Sequence, residues 1–385
     1  MYNCDVILLQ TFLIFALSLA SVSAWAYPNS IRLGYIDCNS CHVSTLGGAQ
    51  LTDYGKAFAD ANAFFSRAEN EDEDHLNDES PSSLLSRLNA SVFGRYLFLD
   101  QGGIRDSFLM QADGMLTAQV NPRAVASIAI GWVPEVVQNS PSAPSGILGK
   151  SFLLRKATFQ YSFDDIQKTR VVMGREHLPM AIRMDDHTTF IRLYSRQGVT
   201  DYPTQVRYEK TASDRQWMVG GYLPSFEESL KNREAGLFAR DEWRLSKMTS
   251  VVALGLFGKG VSPSGVHSVD QRLHADVGVR HAFTSQVGVL ASIQGARRMI
   301  QGTQAQQGSF YSRAFYFPKD WVEIGYVGEK LAIGTPYFSQ RLVHGPDLYF
   351  RVVKEMTFVA QWKWMDAFGG GMVQNLFTLQ AFGRI

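Results

Sequence analysis

Residues Arg272 to Arg280 read RLHADVGVR. Leu273, Ala275, Val277 and Val279 are apolar or small and alternate with Arg272, His274, Asp276 and Arg280. Alternation at period two sends the two sets to opposite faces of an extended chain, so this segment predicts a strand with one apolar and one charged face. The pattern returns at Trp217, Val219, Gly221 and Leu223. It also runs over a longer span where Phe108, Met110, Ala112, Gly114, Leu116, Ala118 and Val120 interleave with Gln111, Asp113, Thr117 and Gln119. The clusters QNSPSAPSG, SPSG and GTQAQQGS read as turns between such strands.

Beyond the N-terminal region there is no uninterrupted apolar run of the roughly eighteen residues a spanning helix needs, so any membrane crossing falls to strands. Three features favour a transmembrane barrel over a soluble sandwich. Polar and charged side chains alternate with a slim apolar face, hydrophobicity is modest, and Trp132, Trp243, Trp321, Trp362 and Trp364 stand near segment ends, where aromatic girdles lie. The expected fold is all-β: an outer-membrane β-barrel over residues 84–385 with about 14 to 16 antiparallel strands of about ten residues each. The terminal FTLQAFGRI alternates too, although it closes on Ile385 rather than on an aromatic residue.

The start of the chain fits that destination. Val6 to Ser21, VILLQTFLIFALSLAS, is an apolar run of signal-peptide length leading to the cleavage pattern Ala24-Trp25-Ala26, so residues 1–26 are expected to be removed. The n-region departs from the usual pattern, with Asp5 and no Lys or Arg. Cleavage takes Cys4 away and leaves two of the three cysteines, Cys38 and Cys41, with His42 directly after. C-x-x-C-H is the attachment pattern of a c-type haem, one haem c held by two thioethers with the adjacent imidazole as proximal iron ligand. A Cys38–Cys41 disulfide competes with this reading. A closed structural zinc site needs four ligands, and no second cysteine pair supplies them.

After the motif, Leu51, Tyr54, Phe58, Ala61 and Phe65 recur at helical spacing as one apolar stripe, with Thr52 near its start. The haem face or the rest of the protein would cover it. The expected organisation is a haem segment over 27–68, an acidic linker over 69–83 built on ENEDEDHLNDES, and the barrel. The overall charge of +1 conceals a division. Tyr27 to Ser80 carries Arg32, Lys56 and Arg67 against a large acidic excess, whereas the barrel region is net basic. A basic lumen would attract the acidic segment as a plug, while basic residues facing lipid headgroups or lining an anion-selective pore account for the same numbers.

Signal peptide, single C-x-x-C-H, the following LTDYGKAF and a long alternating region together resemble the fused monohaem cytochrome–porins of bacterial outer membranes, whose best-known members oxidise ferrous iron at the cell surface. The motif likeness is confined to Cys38–His42 and Leu51–Phe58, and the Gly47-Gly48 pair and the acidic linker are not features the iron oxidases require, which leaves the substrate open. The resemblance implies Cys38 and Cys41 as the covalent haem sites and His42 as the proximal ligand. It implies one-electron transfer between a periplasmic electron-transfer protein and an extracellular redox partner such as Fe(II), in the outer membrane of a Gram-negative bacterium. The haem segment would then lie on the periplasmic side or inside the barrel. A porin gated or plugged by that segment, and a haem enzyme with an open iron site, stand as alternatives.

For the distal iron position the sequence offers His75, or a lumen residue such as His274 or Met115, or no ligand. His177 and His187 flank LPMAIRMDD, where Met180, Met184, Asp185 and Asp186 suit either a metal-contacting loop or an ordinary solvated one. No Ser-His-Asp order, phosphate loop or nucleic-acid motif stands out.

Overall fold

The computed structural model describes residues 28–33, 55, 58, 88–101, 104–132, 152–164, 168–182, 202–224, 234–260, 269–300, 303–334, 339–353, 356–366 and 374–384. Within them the period-two segments become sixteen strands. The first eight are β1 (Leu88–Gln101), β2 (Ile104–Asn121), β3 (Ala124–Trp132), β4 (Phe152–Ser162), β5 (Thr169–Arg175), β6 (Thr204–Thr211), β7 (Arg215–Leu223) and β8 (Glu234–Ser246). They continue as β9 (Thr249–Gly260), β10 (Val269–Ala282), β11 (Val287–Ile300), β12 (Thr303–Lys319), β13 (Val322–Gly334), β14 (Ser339–Val353), β15 (Met356–Asp366) and β16 (Gln374–Arg384). Each strand pairs antiparallel with its sequence neighbours, and β1 pairs with β16 from Phe93↔Arg384 to Gln101↔Leu376, closing the barrel.

The two ends of the barrel differ. Two-residue gaps separate β2 from β3, β8 from β9 and β12 from β13 at the end that holds Leu88 and Arg384, whereas the gaps in sequence between β3 and β4, β5 and β6, and β7 and β8, at the other end, are long. GTQAQQGS is not a turn. Only residues 301–302 separate β11 from β12, and Thr303 onward pairs with β11, so polar residues extend a hairpin at the long-loop end. Ladder pairing satisfies their backbone whatever their side chains prefer.

The sidedness of β10 follows its alternation: Arg272, His274, Asp276, Gly278 and Arg280 are buried and face the lumen, while Leu273, Ala275, Val277 and Val279 face outward. An outer belt of Leu116, Val206, Leu237, Ile293, Ile324 and Leu348, all exposed, continues this apolar surface around the wall. The alternation in β2 breaks once. A bulge opposite Arg95/Tyr96 pairs Arg95 with Gln111 but Tyr96 with Leu109. Opposed residues share a face, so Phe108, paired with buried Leu97, turns to the lumen side and Leu109 takes the outward position. Phe108 therefore leaves the apolar face on which strict alternation had put it. Trp243 and Trp321 lie at the short-turn end and Trp132 at the other, whereas Trp362 and Trp364 stack within β15 at 5.9 Å between ring centroids.

The barrel face of β10 gives a direct test. Val277 is 51% exposed on the outward face near the middle of β10. Val277→Arg should lower folding stability in lipid bilayers by about 2–4 kcal/mol, the cost of arginine at mid-bilayer depth, whereas Val277→Leu should leave it nearly unchanged. Equilibrium unfolding in liposomes measures both, and equal tolerance of the two changes would place this face away from lipid.

Candidate functional site

The lumen is lined by ion pairs, some within a strand and some between strands. Glu209 accepts from Arg170 at 2.7 Å and from Arg207 at 2.5 Å. Glu242 takes Arg240 at 2.6 Å and also Arg280. Arg313 spans Asp347 at 2.8 Å and Glu323, and Arg272 holds Glu234 at 3.1 Å. Arg95 donates to Gln380 across the β1–β16 closure at 2.7 Å. Such buried charges are tolerable because each has a partner.

Two segments enter this lumen. The first follows β5. Gly174, at φ +124°, ends that strand in a conformation that favours glycine, and a Cβ there would stand 2.0 Å from the Ala157 carbonyl oxygen. Glu176 then pairs with Lys156 at 3.0 Å and Arg207 at 2.9 Å, and its N–H donates to the Pro203 carbonyl at 3.3 Å. Burial by itself would push the Glu176 carboxyl up, but Lys156 and Arg207 hold it well below the usual carboxylate range. The Gln205 amide donates to the carbonyls of Glu176 at 3.1 Å and His177 at 2.8 Å. The His177 and Tyr202 rings lie 4.0 Å apart, and Arg155 ties the Tyr202 hydroxyl, at 3.1 Å, to Asp113, at 2.7 Å.

From this neck the chain runs across the inner wall. Leu178 packs with Met218, Tyr222, Phe238 and Leu256, and the Arg240 guanidinium donates to the Met180 carbonyl at 2.8 Å and more weakly to that of Ala181 at 3.4 Å. Ala181 and Ile182 join Val252, Leu254, Leu290, Tyr311, Phe315, Phe317 and Val327 in an apolar cluster. Ile182 sits where a Cβ on Gly278 would be, 2.6 Å from its Cγ1. Glu176–Ile182 is thus packed in the lumen, which corrects the expectation of a solvated loop. The apolar run LPMAI within an otherwise polar connection was the signal for this burial. Met184, Asp185, Asp186 and His187 lie outside the described residues, and among those described no group of three or more His, Cys, Asp or Glu could hold a metal ion.

The second intruder is the 3₁₀ segment Pro28–Leu33, directly after the predicted cleavage point. Ile31 is 0% exposed and packs on Ala282 and Met248. Arg32, 5% exposed, donates to the Ser285 carbonyl at 2.7 Å, pairs with Asp320 at 2.9 Å and lies 3.9 Å over the Phe317 ring. Ser285 and Asp320 belong to short connections, so the segment is fixed in the short-turn mouth. The sequence reading did not single out Ile31 or show what Arg32 touches.

Cys38, Cys41, His42 and His75 lie outside the described residues. Gly55 and Phe58, from the expected helix, are helical, with Gly55 buried and Phe58 partly so. Met115 lies half-buried on the same side of β2 as Asp113. His274 is buried in the lumen wall.

No protein-family model matches the chain, and no curated protein matches it in sequence. Its fold is similar to that of several solved barrels. One is a loop L8 deletion mutant of OmpT, an outer membrane protein of Vibrio cholerae, with 11% identity and a TM-score of 0.58 over 77% of this chain and 99% of that one. Another is OmpF of Salmonella typhi, in complex with daunomycin, with 11% identity and a TM-score of 0.57 over 77% and 97%. A third is an anion-selective porin from Comamonas acidovorans, with 12% identity and a TM-score of 0.54 over 77% and 100%. At these identities the likeness is one of fold: the chain forms a closed sixteen-strand porin-like barrel.

Each intruding segment has a lever. Gly278→Phe should lift Ile182 off β10, raising amide hydrogen exchange across 178–182 while strands away from it stay protected. Unchanged exchange there would mean that the segment does not depend on this contact. Ile31→Asp should free the N-terminal segment, since it loses about 1.5–3 kcal/mol of apolar burial and adds a charge. Trypsin should then cut after Arg32 in the folded barrel, at a bond protected in the parent protein.

Proposed function

We propose that this chain is a porin-type barrel of the outer membrane, narrowed by its own segments, and that it carries one covalent haem c that makes it a one-electron conduit. The outward apolar belt and the fold shared with outer-membrane porins support the location. Short turns of such barrels face the periplasm, so the mouth that holds Pro28–Leu33 is read as the periplasmic one.

The observation that carries the electron-transfer reading is the anchoring of Ile31 and Arg32 in that mouth. Cys38 follows Leu33 by five residues, a reach of at most about 18 Å, so the C-x-x-C-H would lie near that mouth. The donor set fits the group chemically: Cys38 and Cys41 would form the thioethers and His42 would supply the proximal imidazole. Bound there, haem would supply reversible one-electron chemistry. The wall's part is to exclude bulk water and insulate the centre, and the open periplasmic side is where a soluble electron-transfer protein would meet it. An extracellular redox partner such as Fe(II) would act from the long-loop end.

The fold likeness favours a second reading, a solute channel whose N-terminal segment plugs or gates it, because solved relatives of this fold include an anion-selective porin. Protein with Cys38→Ala and Cys41→Ala should show no covalent haem on a haem-stained denaturing gel, whereas the parent chain should stain. Liposomes holding the haem-loaded protein should pass electrons from an external donor to an enclosed cytochrome at a rate that the double variant loses. Solute flux unaffected by the double change, with no haem in the parent chain, would decide for the channel.

A further inference from the structure

On the outer-membrane location proposed above, we infer that the outer wall of β9 to β13 binds an outer-leaflet lipid with a phosphorylated headgroup. The headgroup sits at the long-loop rim, and an acyl chain lies in a groove that descends from it. Three outward cations define the head end: Lys259 on β9, Arg297 on β11 and Lys330 on β13, all exposed. Counted from the short-turn end of each strand, Lys259 stands ten residues beyond Thr249, Arg297 ten beyond Val287 and Lys330 eight beyond Val322. Eight to ten residues rise about 20–25 Å along strands tilted by about 40°, which reaches the top of an apolar band about 25 Å tall. The three charges therefore share one level, that of the outer-leaflet headgroups.

No carboxylate answers them. Directly opposite on the neighbouring strands stand Ala235 and Gln271 for Lys259, Leu273 and Gln306 for Arg297, and Phe310 and Leu342 for Lys330. None of the three cations forms an ion pair among the described residues. Asp366 is two strands away from Lys330, across Leu342. Elsewhere on the outer wall arginine is matched: Arg105 has Asp100 at 2.9 Å and Arg215 has Asp241 at 2.9 Å. The charge left over on β9 to β13 complements phosphate, which takes Arg through two parallel hydrogen bonds and Lys as a point charge. On the sheet lattice the Cα atoms lie about 12 Å apart from Lys259 to Arg297 and about 16 Å from Arg297 to Lys330. That spread suits a sugar headgroup with more than one phosphate rather than a single small anion.

The groove lies beside these cations. Ala239, Gly255, Ala275, Gly295, Gly308 and Ala332 oppose one another in register across β8 to β13, and so form one row on the outer face. A Cβ on Gly255 or Gly295 would meet nothing within 4 Å. Exposed Phe257 and Leu273 bank the row on its long-loop side, and exposed Ile293 and Phe310 on the other. Five strand spacings of about 4.8 Å make the floor about 24 Å long, a length that accommodates an extended acyl chain. The floor slopes, because Gly308 is eleven residues from the short-turn end of β12 whereas Gly255 is six from that of β9. Its upper part passes between Arg297, two residues on the long-loop side of Gly295, and Lys330, two on the short-turn side of Ala332. A phosphate held by this pair would deliver its acyl chain into the groove, which leads it down toward Ala239 and the bilayer interior.

The test uses the full-length, signal-processed protein. Recovery of the chain outside the outer-membrane fraction fails the location and this inference with it. In nonionic detergent, native mass spectrometry follows titration with diphosphorylated lipid A and with the same lipid stripped of phosphate. The parent protein should bind the phosphorylated form about tenfold or more tightly than the stripped one. The triple change Lys259→Gln, Arg297→Gln and Lys330→Gln should abolish that preference. Lys210→Gln, Lys247→Gln and Lys319→Gln together remove the same charge at the short-turn end and should leave it intact. Gly295→Phe, which fills the groove floor, should weaken binding of the phosphorylated lipid. Folding of every variant is read from gel mobility before and after boiling, and Arg297→Gln alone replaces the triple change if that does not fold, with a several-fold weakening expected. Equal binding of the two lipids by the parent, equal loss in both triple variants, no effect of Gly295→Phe, or paired chains without bound lipid overturns the site while leaving the outer-membrane location standing.

Discussion

The pairing of β1 with β16 is the interaction on which the rest of this structure depends. A strand in lipid has no water to satisfy its N–H and C=O groups, so an open sheet edge would leave a column of them exposed to hydrocarbon. The ladder from Phe93↔Arg384 to Gln101↔Leu376 removes both edges at once. Closure also creates the lumen, because only a sheet joined to itself has an inside that polar side chains can share.

Inside, charge is handled by pairing rather than by hydration. Glu209 lies between Arg170 and Arg207, Glu242 takes Arg240 and Arg280, and Arg313 spans Asp347 and Glu323. These contacts run within a strand, between neighbours and across an intervening strand, and fix side chains that would otherwise move independently. They also make exceptions conspicuous, and His274 is one: its alternation puts it on the charged face, yet the two nearest charges on its own strand are already matched to others.

Both intruding segments meet the inner wall on the side of β10 and β11. Glu176–Ile182 lies over β7 to β11 and buries Leu178 and Ile182, and Pro28–Leu33 covers the short-turn end of β10 and β11. The cluster that takes in Ile182 also contains Phe317, the ring beneath Arg32, so one apolar surface inside the lumen supports both. A lumen lined only by ion pairs would give neither segment a place to settle. The apolar residues on this part of the inner face make narrowing of the pore possible.

What the sequence determined by itself was local. Period two along a single segment is enough to assign faces, and RLHADVGVR presents in the fold the sides its alternation predicts. The C-x-x-C-H pattern at Cys38, Cys41 and His42 is equally a matter of adjacent residues. What only the tertiary structure decided depends on residues far apart in the chain. The strand number is fixed by which strand β1 meets, and Phe108 changes face because of a bulge opposite Arg95, where alternation along β2 has no memory of its partner. The hydrogen bond of Arg32 to Asp320 joins residues 288 positions apart, and nothing in either neighbourhood announces it. Periodicity is a property of a strand, whereas closure, bulges and lumen docking are properties of which strands become neighbours, and that choice is made only when the whole sheet has closed.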